Sequence, residues 1–204
     1  MTETTDPGAG HADQPGLGDA TDTEDGRRHL SRSTRSAIEW VAVIVGALVV
    51  ALVVKTFLIQ AFYIPSESMV PTLEVGDRVL VNKLSYTTGD IGRGDIVVFA
   101  RPGGPGTDGI EDLIKRVVAL PGETVEGRDG KVYVDGEPLE EDYLVDGVET
   151  SVFPPYQVPE DHVWVMGDNR NASDDSRRFK GVPVDDVVGR AFVIIWPFTQ
   201  AGLL

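Results

Sequence analysis

Cysteine is absent from the 204 residues, which excludes disulfides, a thiolate nucleophile and thiolate metal sites together. The absence does not fix the compartment, since exported proteins often lack disulfides. Histidine is nearly missing: His11, His29 and His162 are the only three, and the first two precede a long apolar run. A Ser-His-Asp triad in the folded region would therefore have to use His162, and a multi-histidine metal site is excluded there. No metal and no other cofactor is expected. Basic residues are in deficit, 18 Lys and Arg against 33 Asp and Glu, for a formal net charge of -15. Nucleic-acid binding needs a basic face to displace counterions, so that class of partner is excluded. An acidic excess otherwise bears on solubility more than on fold. A hydrophobic share of 41% is enough for one packed domain after a tail and a membrane span are subtracted.

The chain divides by composition. Residues 1–36 form an acidic tail with a basic end; its first 26 residues are rich in Gly, Asp, Thr and Ala without apolar periodicity, which predicts disorder. Arg27, Arg28, Arg32 and Arg35 follow, and then Trp40 to Val54 carry no charge. With apolar character resuming at Phe57, residues 37–62 make a single transmembrane helix, provided Lys55 snorkels toward the headgroups. The arginines place the tail in the cytoplasm and everything after Phe62 outside the cell membrane. A buried core helix is disfavoured because the run is apolar on all faces. A cleaved leader is disfavoured because Ile59-Gln60-Ala61 is a poor processing site.

Residues 63–204 read as a mainly β extracytoplasmic domain. Short runs rich in Val and Ile, punctuated by Gly, Pro and Asp, predict strands at 78–82, 95–100, 113–120, 131–134, 162–166 and 187–196. Arg128-Asp129-Gly130-Lys131 reads as a hairpin turn, and 101–109 as a loop rich in Gly and Pro. Residues 137–160 are irregular and are expected to form a small cap insertion.

Three segments carry chemistry-bearing side chains. In Ile64-Pro65-Ser66-Glu67-Ser68-Met69-Val70-Pro71-Thr72-Leu73, an extended backbone would put both serines on one face; serines that merely cap a turn are the bland alternative. In Asp112 to Glu123, Lys115 sits between Ile114 and Val117, a costly place for an ammonium; an edge-strand lysine that blocks aggregation would look the same. Gly167-Asp168-Asn169-Arg170-Asn171-Ala172-Ser173-Asp174-Asp175-Ser176-Arg177 makes a dense polar loop. It lacks the glutamate that ends a calcium-binding EF-hand loop.

Ser-x-Ser-Met-x-Pro-Thr-Leu, then Ile-Lys-Arg-Val-Val-x-Leu-Pro-Gly, then Gly-Asp-Asn-Arg-x-x-Ser-x-Asp-Ser-Arg, in this order behind an N-terminal span, resembles the bacterial type I signal peptidases. Arg93 to Phe99 resembles an intervening structural strand of that family, and the likeness runs from the span to Trp196. The resemblance implies a membrane-anchored serine endopeptidase that removes signal peptides from exported preproteins through a Ser-Lys dyad and an acyl-enzyme. It implies Ser68 as nucleophile and Lys115 as general base. Ser66 would serve the oxyanion hole beside the Ser68 N–H, and Ser173 would hydrogen-bond and orient Lys115. Gly167, Asp168, Asn169, Arg170, Asp175 and Arg177 would brace the loop. Ile64, Met69, Leu73 and Ile114 would line shallow pockets for small side chains, with the substrate docked as an added strand. Glu67, Asn171 and Ala172 stand where members of the family differ, and none replaces a proposed catalytic group.

An ordinary lysine is neutral in only about one molecule in a few thousand at pH 7, so a lysine base demands burial. Three rival readings fit the sequence less well. A self-cleaving repressor-type Ser-Lys peptidase would carry a DNA-binding domain in place of the span. A histidine-using signal peptidase would have His where Lys115 stands. A non-catalytic tethered β-domain would need neither the paired serines nor the embedded lysine.

Overall fold

The computed structural model describes residues 32–54, 58–106 and 109–204. Residues 1–31 of the expected tail and the snorkelling Lys55 lie outside the described residues, while residues 32–36, counted with the tail, belong to a helix. Helix α1 covers Arg32–Val53. Its stretch Ser36–Val53 has a mean hydropathy of 2.4, carries apolar side chains all round and is long enough to cross a membrane. The helix is shorter than the 37–62 expected, because Ile59–Tyr63 is strand β1. Its short apolar run fits helix and strand alike by sequence. Antiparallel pairing of Ile59 to Tyr63 with Asn82 to Arg78 decides for strand.

The remaining elements follow in chain order. β2 is Arg78–Asn82, the short helix α2 is Ser85–Thr88, β3 is Ile96–Ala100 and β4 is Asp112–Ala119. β5 (Thr124–Arg128), β6 (Lys131–Val134), β7 (Glu137–Pro138) and β8 (Phe153–Gln157) come next. β9 is His162–Met166, the one-turn helix α3 is Ser176–Phe179, β10 is Val182–Pro183, β11 is Val187–Trp196 and β12 is Gly202–Leu203. The domain is mainly β, as the punctuated Val/Ile runs require. One sheet has the order β1-β2-β11-β3-β4-β9-β10, with β12 on β11; the other has the order β7-β6-β5-β8.

The second sheet corrects the expected cap. Residues 137–138 and 153–157 are β7 and β8 of a sheet whose other two strands precede them, while 139–152 lie outside strands. β5 was hidden in the sequence by its polar residues and Gly127, and β8 by Pro154 and Pro155. Gly127 is required because the Phe153 ring and the Ser151 carbonyl occupy the space a Cβ would fill. β8 is an edge strand, where proline is tolerated. The β5–β6 hairpin closes as expected, with Asp129 and Gly130 at φ 51° and 75°, the positive pair of a tight two-residue turn.

Three apolar clusters hold the sheets. Ile64, Met69 and Leu73 pack with Val79, Val81, Ile96, Val98 and Ile114. Val118 and Trp164 pack with Val125, Val132 and Phe153 of the second sheet. Val97, Phe99 and Val117 pack with Val163, Val165 and Val182. β4 contributes to all three, which buries it on both faces. That strand carries Lys115.

Candidate active site

Ser68 does not lie on extended backbone. Residues 66–73 are bends and turns, in which the Val70 N–H donates to Glu67 O at 3.1 Å and the Leu73 N–H to Met69 O at 2.9 Å. Pro65 and Pro71 lack the donors a strand would use, so the segment curls. The two serine hydroxyls still meet, with Ser66 Oγ 3.3 Å from Ser68 Oγ. Met69 and Leu73, both 0% exposed, anchor the turn from below. They present no surface to a substrate, so their expected pocket-lining role is corrected to that of core anchors. Ile64 and Ile114 do line a cleft, of about 30 Å³, with Phe62, Tyr63, Pro65, Val98, Asp112 and Leu113. A much larger cavity of about 630 Å³ lies along residues 130–150 and contains neither Ser68 nor Lys115.

β4 delivers Lys115 opposite Val97 of β3, 2% exposed. Its Nζ donates to Ser68 Oγ at 2.8 Å and to Ile114 O at 2.7 Å. Burial pushes the amine down to about 8, against the pull of Asp175, Asp174 and Asp168 toward the charged form and with help from Arg101. At pH 7 about a tenth of the molecules then carry neutral Lys115, some hundreds of times more than for a free lysine. The hydrogen bond expected between Ser173 and Lys115 is not formed. Ser173 Oγ is buried and lies instead beside the Asp175 carboxyl, whose ionised form it favours.

The loop after β9 is stitched to the serine turn. The Asn169 N–H donates to Ser68 O, and Asn169 Nδ2 to Glu67 O, both at 3.1 Å. Gly167 has to be glycine: a Cβ there would collide with Ser173 Oγ and the Ser68 carbonyl. Arg116, next to Lys115 but on the opposite face of β4, forks onto Asp168 with contacts of 2.9 and 2.7 Å. Thr72 Oγ1 donates to the same carboxylate at 2.6 Å, which ties the end of the serine turn into the fork. Asp175 takes the Gly167 N–H at 3.1 Å and two Arg177 contacts of 2.9 and 2.8 Å. Although burial opposes it, the Arg177 guanidinium holds the Asp175 carboxyl below the usual range. Arg170 lies between Gly167 O, Thr150 Oγ1 and the Glu141 carboxylate. His162 bonds Asp161 at 2.6 Å on the strand paired with β10.

Several of these groups were within reach of the sequence. Arg116 and Thr72 stand inside the recognised motifs, next to the lysine and after the second proline. Glu141, Tyr143 and Thr150 gave no signal, since they lie in the irregular stretch. Yet Tyr143 stacks under the Arg116 guanidinium at 4.1 Å and bonds Glu141 at 2.6 Å. Ser176, whose hydroxyl takes the Val165 N–H at 2.9 Å, was visible only as a motif position.

The structure thus brings a buried lysine amine within hydrogen-bond reach of a serine hydroxyl, between segments braced by arginine–carboxylate forks. The chain matches the model of the family described as signal peptidase, peptidase S26, over residues 37–196. It is 45% identical over 163 residues to a signal peptidase I of Leptolyngbya laminosa, covering 78% of this chain and 79% of that one. It is 36% identical to a signal peptidase I of Mycobacterium tuberculosis strain H37Rv, covering 95% and 83%. A crystal structure of a signal peptidase I from Enterococcus faecalis V583 matches with a TM-score of 0.42 and 36% identity, over 50% of this chain and 96% of that one. The chain belongs to the signal peptidase family, serine endopeptidases that remove signal peptides from exported proteins.

Proposed function

We propose that Ser68 is the nucleophile and Lys115 the general base of this signal peptidase, acting at the outer face of the cell membrane. The observation that carries the reading is the 2.8 Å contact between Lys115 Nζ and Ser68 Oγ in an apolar site. Neutral Lys115 takes the Ser68 proton as Oγ attacks the scissile carbonyl, and the resulting ammonium returns it to the leaving amine. Water then attacks the acyl-enzyme with Lys115 again as base, releasing the signal-peptide carboxylate and free Ser68. Ile114 O holds the amine throughout, since a neutral amine still has a donor for it. The oxyanion is met by the Ser66 hydroxyl and the Ser68 N–H, which makes no hydrogen bond among the described residues.

The preprotein enters as an added strand, and the cleft of about 30 Å³ at Ile64 and Ile114 has room for a water or two, and so for a methyl-sized side chain. This supports a preference for small residues before the cut. Asp168, Asn169, Arg170, Asp175 and Arg177 keep the serine turn and the lysine strand in register, with Gly167 giving the close approach. The arginines before the span and the bilayer as partner complete the reading: residues 1–36 in the cytoplasm, one span, and 63–204 outside. The test is cleavage of a preprotein by the full chain in detergent, with mass spectrometry of both products. Ser68→Ala and Lys115→Ala should each abolish the cut; normal turnover by either variant refutes the dyad.

A further inference from the structure

Three carboxylates act on the Lys115 amine, and each is tied to a guanidinium of its own. Asp168 is forked by Arg116, and Asp175 by Arg177. The third, Asp174, is met by Arg101 at 3.2 Å. The first two pairs fall within the motifs that mark the site. Arg101 does not; it stands at the mouth of the β3–β4 connection, in a stretch that sequence alone reads as a Gly/Pro loop. The structure places it firmly. Its N–H donates to Glu111 O at 2.7 Å, which continues the β3–β4 ladder by one rung beyond Ala100 and Asp112. Its side chain crosses from that hairpin to the loop that follows β9, so one ion pair joins the two segments that flank the amine. Asp174 is half-buried at 39% exposure, where its charge is screened less than on an open surface. Its other cation, Arg178, is 3.5 Å away on a side chain that is 77% exposed, and so neutralises it less well.

From this geometry we infer that Arg101 is a positioning residue of the peptidase reaction: it compensates Asp174 and so keeps unbalanced negative charge away from the amine that must lose its proton. The inference rests on Lys115 being the base. The charged groups acting on that amine are Asp175, Asp174 and Asp168, which favour the ammonium, and Arg101, which opposes it, in keeping with the assignment. Among the described residues Arg101 makes no hydrogen bond to Ser68 or Lys115, and it acts on the amine through its charge. Removing it leaves Asp174, among the described residues, with only the more distant and exposed Arg178.

The experiment is the pH profile of kcat/KM for preprotein cleavage by the full chain in detergent. Arg101→Gln should move the rising limb toward higher pH by about half a unit, which is the scale of one partly screened charge. At pH 7 that reads as roughly a three-fold loss, fully recovered near pH 9.5. Asp174→Asn should move the limb the other way, and the double variant should return close to the parent, while Arg101→Lys keeps the parent profile. An Arg101→Gln profile that is unmoved, or lowered by the same factor at every pH, overturns the inference. So does a double variant that keeps the full Arg101→Gln displacement. The two layers fail separately: activity surviving in Lys115→Ala removes the base itself, whereas an inactive Lys115→Ala beside an unmoved Arg101→Gln limb removes only the role of Arg101.

Discussion

Replacing Lys115 by methionine should stabilise the folded protein while it destroys activity. Lys115 is 2% exposed, and burial takes it from 10.5 down to about 8. At about 1.4 kcal/mol for each tenfold change, that corresponds to roughly 3 kcal/mol by which the folded state disfavours the ammonium relative to the unfolded chain. Below pH 8 both states are protonated, so the penalty is present in full. Between about 8 and 10.5 the folded state is neutral while the unfolded chain still binds a proton, so stability rises with pH and the penalty fades. Methionine has nearly the same length and no charge, and it forfeits the bonds to Ile114 O and Ser68 Oγ, together about 1 kcal/mol. The net expectation is a gain of about 2 kcal/mol at pH 6.5, or roughly 4–8 °C in Tm. At pH 9.5 the advantage should have fallen by more than half. Unfolding of the full chain in detergent micelles, followed by tryptophan fluorescence with Trp164 buried in the core, measures both. A variant less stable than the parent at pH 6.5, or a gap that stays constant with pH, refutes the claim that this amine is held in a desolvated site.

Other outcomes follow from the same geometry. In the parent enzyme kcat/KM should rise about tenfold for each pH unit below 7 and level off above about 8; a plateau already reached at pH 6 would exclude Lys115 as the titrating base. Gly167→Ala should cut kcat by at least about a hundredfold with the β-fold retained, because the new methyl displaces the Ser68 carbonyl; circular dichroism beside a cleavage assay checks this. Asp168→Ala leaves Arg116 buried without its fork and should cost about 3–5 kcal/mol in denaturant unfolding. Tyr143→Phe removes only the bond to Glu141 and should cost about 1 kcal/mol, whereas Tyr143→Ala also uncovers Arg116 and should cost several times that.

The site was far more legible in the sequence than the layer supporting it. Strands at 78–82, 131–134, 162–166 and 187–196 coincide with those observed, because β-branched runs bounded by turn residues have few other solutions. Ser68 and Lys115 could be paired only through a recognisable order of motifs; no spacing rule brings residues 47 apart to 2.8 Å. What escaped was set by partners far along the chain. The end of the apolar run became β1 because β2 offered it a ladder, and parts of the irregular 137–160 became β7 and β8 because β5 and β6 were waiting for them. Ser66 and Ser68 were expected to share a face by alternation. They do meet, but through a turn, so that expectation reached the right contact by the wrong geometry.

The same loops that make the proposed dyad possible also limit it. A serine turn with two prolines has few backbone bonds of its own, so it must be held from outside, and Asn169, Thr72 and the Asp168–Arg116 fork hold it. Forks that hold loops in a β-domain need carboxylates, and carboxylates near a lysine favour its charged form. Burial alone would drive the amine lower; Asp175, Asp174 and Asp168 bring it back to about 8. With the roles proposed above, the protein keeps a base that is mostly protonated at pH 7, in exchange for a nucleophile fixed within hydrogen-bond reach. Pairing each carboxylate with a guanidinium is the one arrangement of these groups that retains the bracing and gives up little of the basicity. On this argument any substitution that keeps a carboxylate and removes its arginine should lower activity at neutral pH more than at pH 9, wherever in the loop it is made.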